Sequence, residues 1–77
     1  MEPPPQGVKI GGRVRQLRAE HGLSLRALAA RTGFSPSFIS QLEADLVAPS
    51  IPSLEKIARV LGVTLTQFFS ALEEPAR

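Results

Sequence analysis

The sequence predicts an all-α fold of five short helices, and three observations lead there. Apolar residues recur at spacings of three and four, with no stretch alternating at period two. Three tripeptides of one pattern divide the chain: Gly22-Leu23-Ser24, Gly33-Phe34-Ser35 and Gly62-Val63-Thr64. In each, the glycine suits the left-handed residue that closes a helix, and the hydroxyl residue suits the cap of the next one. Length supplies the third: 77 residues without cysteine make one small domain that must rest on its apolar core, with no disulfide and no thiolate metal site to staple it.

Residues 1–8 are expected to form a disordered arm, because MEPPPQG has neither the basic start nor the apolar run of a signal peptide. The helical domain is expected over 9–72. Its first helix, near 9–21, carries the stripe Ile10, Val14 and Leu17; Arg13 and Arg15 lie off that stripe and are expected on a solvated face. His21, on the apolar side near the end of this helix, is expected to be structural or to complement the helix dipole rather than to act as a ligand. The second helix, near 24–32, buries Leu25, Leu28 and Ala29. The third, near 35–44, starts on a Ser35 cap with Pro36 in its first position, where a missing N–H costs nothing. Beyond the Asp45–Pro49 link, a fourth helix near 51–61 carries Leu54, Ile57, Ala58 and Leu61. In the fifth, near 64–72, Phe68 and Phe69 are adjacent, so one small core cannot bury both equally; Leu65, Phe68, Phe69 and Leu72 are expected to form a strip suited to self-association, with a plain core role for Phe68 favoured over its place in that strip. Residues 73–77 are expected to be a tail or linker. Within each corner the middle apolar residue is placed to staple to one five positions on, pairing Leu23 with Leu28, Phe34 with Ile39 and Val63 with Phe68.

The third helix is unusual on its outer side. At about 100° per residue, with Ser37 at zero, Gln41 falls near 40°, Ala44 near −20° and Ser40 near −60°, whereas Leu42 falls near 140°, Ile39 near 200° and Glu43 near 240°. Phe38, near 100°, is expected to pack at the boundary. A helix meant only for solvent usually carries Lys or Glu outside; this one shows hydroxyls and an amide. Such a side can approach another polar surface closely without burying unpaired charge. Both the major groove of DNA, where Gln and Ser can read base edges, and a protein interface fit it.

Charge is uneven along the chain. Val8 to Gln41 holds six basic residues against one acid, and Leu42 onward holds three against five, although the net charge is only +2. The first half is therefore suited to an anionic partner. Arg26, in the first turn of the second helix, and Arg31, near its end, are candidate phosphate neutralisers.

A helix reaching a glycine corner directly before this third helix is helix-turn-helix anatomy. From Ile10 to Ser70, RVRQLRAEHGLSLRALAARTGFSPSFISQLE followed by APSIPSLEKIARVLGVTLTQFF resembles the phage-repressor-like (Xre-type) helix-turn-helix family over about four-fifths of the chain. The resemblance implies a five-helix, lambda-repressor-like DNA-binding domain acting on double-stranded operator DNA as a homodimer. It puts base reading on Pro36, Ser37, Ser40 and Gln41 and a structural ion pair between Arg18 and Glu43; beside these, Arg26 and Arg31 by their charge, and Ser24 and Ser35 at the helix starts, are expected on the DNA backbone. Many members carry Gln where this chain has Leu25, and Gly with a basic residue where it has Asp45 and Leu46. Those departures remove a phosphate contact and a cation and leave an antitoxin-like or adaptor module that binds protein as the alternative. In many relatives a domain of this kind ending in FF is followed by a ligand-sensing domain, so the chain is expected to be either a stand-alone regulator or the DNA-binding portion of a longer one.

Catalysis and metals have no support in the residues. One histidine, no cysteine and no nucleophile with a base leave nothing to argue an enzyme from, so no cofactor is expected. No stretch approaches the roughly 20 apolar residues of a membrane span, and a cytoplasmic location is expected.

Overall fold

The computed structural model describes residues 10–72, and side chains as far as Ser70. The arm expected at 1–8 and the tail or linker expected at 73–77 lie outside the described residues. Five α-helices follow in order: α1 (Ile10–Glu20), α2 (Leu25–Thr32), α3 (Pro36–Glu43), α4 (Ile51–Val60) and α5 (Leu65–Leu72). Each is a little shorter than the sequence predicts, because the predicted bounds included the capping residues that flank the helical turns.

The corners form as the tripeptides require. Gly22, Gly33 and Gly62 all take left-handed φ values, between 66° and 81°. Ser24 and Ser35 cap α2 and α3, their hydroxyls accepting from the N–H of Ala27 and Phe38, each at 3.0 Å. At α5 the cap is reciprocal: Thr64 Oγ1 accepts from Gln67 N–H at 3.0 Å, while Gln67 Oε1 accepts from Thr64 N–H at 2.9 Å. Ser50 caps α4 by accepting from Ser53 N–H at 3.2 Å.

One core draws on every helix. Val14 and Leu17 of α1, Leu28 and Ala29 of α2, Ile39 and Leu42 of α3, Leu54, Ile57 and Ala58 of α4 with Leu61 at its end, and Phe68 of α5 are all buried. Each fully buried Leu, Ile or Phe contributes roughly 1.5–3 kcal/mol, and Leu23, Phe34 and Val63 pack against this cluster from the corners. Helix α3 rests on both α1 and α2, and α5 closes the domain against α1 and α4.

Phe68 settles the adjacent pair. It is fully buried, with Phe69 half-buried and edge-on to it at 5.4 Å. Phe68 therefore has no surface to give a second copy, and its assignment to the self-association strip is corrected to a core role. Leu65 also packs against the core, and the side chain of Leu72 lies outside the described residues. Arg13 departs from its expected solvated face. Half-buried, it donates from Nε to the Phe68 carbonyl at 3.3 Å and lies 5.9 Å from the Phe68 ring centroid, tying α1 to α5. His21 is exposed rather than on an apolar side, its Nδ1 3.0 Å from the Leu17 carbonyl in the last turn of α1.

No helix among the described residues is long and apolar enough to cross a membrane.

Candidate nucleic-acid interface

Helix α3 divides cleanly into two sides. Ile39 and Leu42 are buried, while Pro36, Ser37, Ser40, Gln41 and Ala44 are exposed. The exposed side chains carry no charge. They offer two hydroxyls, one amide and two small apolar surfaces, so another surface can come close without stranding an ion.

The N-terminal end of α3 is fixed locally. Behind it, Thr32 is buried and donates its hydroxyl to the Leu28 and Ala29 carbonyls, at 2.9 and 3.1 Å. Gly33 N–H bonds the Ala29 carbonyl at 2.8 Å, which turns the chain out of α2. Phe38 packs edge-on against Phe34 of this corner, centroids 5.1 Å apart.

The C-terminal end is fixed from a distance. Arg18 of α1 grips Glu43 through two bonds, Nε to Oε2 at 2.6 Å and Nη2 to Oε1 at 2.9 Å, and its Nη1 donates to the Leu23 carbonyl at 3.0 Å. This bidentate fork orients Glu43 as well as neutralising it. The bond to Glu43 raises the Arg18 pKa above its ordinary value, against the opposing effect of burial. Both side chains are mostly covered, at 17% and 7% exposure, so neither charge reaches the outer side of α3.

Asp45 completes that end. It is left-handed, with φ of 61°, and stands where a glycine is usual after a helix. The N–H of Asp45 bonds the Leu42 carbonyl at 3.0 Å, and that of Leu46 bonds the Gln41 carbonyl at 2.8 Å, closing α3. Its Oδ1 accepts from Gly11 N–H at 2.9 Å, so the carboxylate caps α1 from another part of the chain and meets the positive end of that helix. The approach is close enough to exclude a side chain at residue 11. A Cβ there would lie 2.4 Å from the Leu42 carbonyl oxygen and 2.5 Å from that of Glu43.

The backbone candidates stand around α3. Ser24, Arg26 and Arg31 are exposed on α2 and its cap, and Ser35 is exposed at the start of α3. Ser24 and Ser35 accept capping bonds, which leaves their hydroxyl protons free to donate. Among the described residues no three of His, Asp and Glu converge as metal ligands. Sequence reasoning missed Gly11, Thr32 and Ser50. A hydroxyl residue just before Gly33 or Ile51 was a usable cue for the last two, but nothing local marked Gly11, whose constraint comes from α3.

Comparison with known proteins places these features in a family. The family model HTH_3, described as helix-turn-helix, matches residues 14–68. The HTH-type transcriptional regulator PuuR of Escherichia coli K12 is 40% identical over 70 residues, covering 91% of this chain and 38% of its own. The regulator SinR of Bacillus subtilis is 44% identical over 57 residues, 73% of this chain and 51% of its own. This chain thus spans about 40–50% of the length of these two relatives. A crystal structure of SinR in complex with DNA superimposes with a TM-score of 0.73 at 41% identity, covering 78% of this chain and 97% of that one. The restriction-modification controller protein C.Esp1396I, as a tetramer on its 35-base-pair operator, gives 0.77 at 29% identity over 86% and 87%.

Proposed function

Because the chain belongs to the helix-turn-helix family HTH_3, we propose that it is a sequence-specific DNA-binding transcriptional regulator, its residues 9–72 forming the DNA-binding domain. Helix α3 enters the major groove, which is about 12 Å wide and admits one helix. Pro36, Ser37, Ser40 and Gln41 meet base edges: Gln41 can bond a base in bidentate fashion, and the serines can donate or accept. Ser24, Arg26, Arg31 and Ser35 hold the phosphates, with Arg26 the principal cation. The chain acts as a homodimer on a palindromic operator with half-sites about one helical turn apart. It works in the cytoplasm as a binding protein and not as an enzyme, a reading supported by relatives named as transcriptional regulators and by the SinR and C.Esp1396I complexes with DNA.

One observation carries the reading: α3 presents an exposed, neutral, hydrogen-bonding side while its opposite side is locked into the core and its one acid is held by Arg18. Titration against random-sequence duplex at two salt concentrations tests it. Binding that weakens steeply with salt is expected from phosphate neutralisation; no binding at low salt would refute it.

A second reading has its own observation. Leu46, within the α3–α4 link, and Ile51, at the start of α4, are 73% and 60% exposed. An adaptor or antitoxin-like module would use that apolar link to hold a protein, and would show no affinity for duplex at low salt.

A further inference from the structure

We propose that Arg15, beside the C-terminal half of α3, is an additional DNA-backbone contact. The proposal rests on the reading of α3 as the groove helix and adds a clamp to it.

Arg15 lines one open hollow together with Arg18, Leu25, Ser40, Glu43 and Ala44, where α1, the first residue of α2 and the outer side of α3 come together. Three charged residues border this hollow, and two cancel each other in the Arg18–Glu43 fork. Arg15 is the remaining one. It is exposed, and its side chain makes no ion pair or hydrogen bond among the described residues. Its neighbours Ser40 and Ala44 belong to the exposed side of α3, so the hollow is continuous with the surface that faces the bases.

A helix about 10–12 Å across fills a groove about 12 Å wide, so the phosphate ridges of the duplex must run along its flanks. On this flank the chain offers few other cations. The Leu25 side chain has no polar atom to reach a phosphate, and Asp45 and Leu46 follow α3 without a basic residue. A guanidinium with a free fork suits a phosphate's paired oxygens. Arg15 supplies this flank with the positive charge that Leu25 and the end of α3 do not.

Fluorescence anisotropy on the whole chain tests this, using a duplex selected from a random pool and an unrelated duplex over a salt series. Arg15→Gln is expected to lower the salt slope by about 0.9 per bound chain, a loss of about eightfold at 0.1 M salt, by the same factor on both duplexes. Arg15→Lys is expected to restore most of the slope. Arg59→Gln, which removes the same charge beside a separate hollow between α4 and α5, is expected to leave it unchanged. Wild-type binding with Arg15→Gln indistinguishable from it overturns the role of Arg15 alone, as does an equal loss from Arg59→Gln. Wild type that binds no duplex at low salt overturns the regulator reading and the role of Arg15 with it.

Discussion

The two ends of α3 are held by different physics. At its start, within a few residues, Gly33 turns the chain, Ser35 caps the helix, Pro36 sets its first φ and Phe34 meets Phe38. At its finish the constraints come from elsewhere: Arg18 lies 25 residues before Glu43, and Gly11 lies 34 residues before Asp45. A local turn can position the beginning of a helix, but fixing the direction of a two-turn rod requires a second anchor, and α1 provides it. The outer side of α3 is therefore presented at a set angle by one sequence-local device and one tertiary device.

The distant anchor is the costlier of the two to lose. Glu43→Ala leaves Arg18 mostly covered and without its carboxylate, and is expected to cost about 3 kcal/mol in urea unfolding. Gly11→Ala drives a methyl against two backbone carbonyls that cannot swing aside, and is expected to cost roughly 2–3 kcal/mol. Asp45→Ala both places a Cβ residue less suited to a left-handed φ and loses the bond to Gly11, a loss of about 2 kcal/mol. Asp45→Asn keeps an acceptor and tolerates that φ, so it sharpens the contrast by costing less than Asp45→Ala. At the local end, Ser35→Ala removes one capping bond and is expected to cost about 1 kcal/mol. Should Ser35→Ala prove more damaging than Gly11→Ala, the order of the two anchors would be reversed.

That division also explains what could be read from the sequence. The corners were legible because each is written in three consecutive residues whose chemistry has few other uses: a residue tolerant of positive φ, an apolar staple and a hydroxyl cap. The exposure of Ser37, Ser40 and Gln41 followed from helical periodicity alone, since Ile39 and Leu42 fix which side faces inward. The pairing of Arg18 with Glu43 did not follow from spacing; it came with the family resemblance, and periodicity said only that Glu43 faces the core. Arg13 was misplaced because the angle of a residue on its own helix does not show that α5 passes over it and offers the Phe68 carbonyl. Gly11 was opaque for the same reason, and Phe68 was given both a core role and a place in the strip because two adjacent aromatics do not say which one the core will take.

The roles given to the two sides of the interface separate in binding as well. Arg26→Ala is expected to weaken all duplexes alike and reduce the salt slope by about one, as the proposed role on phosphate alone requires. The most direct measurement is the base preference of Gln41→Ala against wild type, obtained by selecting bound duplexes from a random pool. Relaxed preference at one position in each half-site, with the remaining positions kept, is the predicted result, at a cost of about 1–3 kcal/mol on the selected duplex. An unchanged preference profile, or a loss equal on every sequence, would contradict the claim that the outer side of α3 reads the bases.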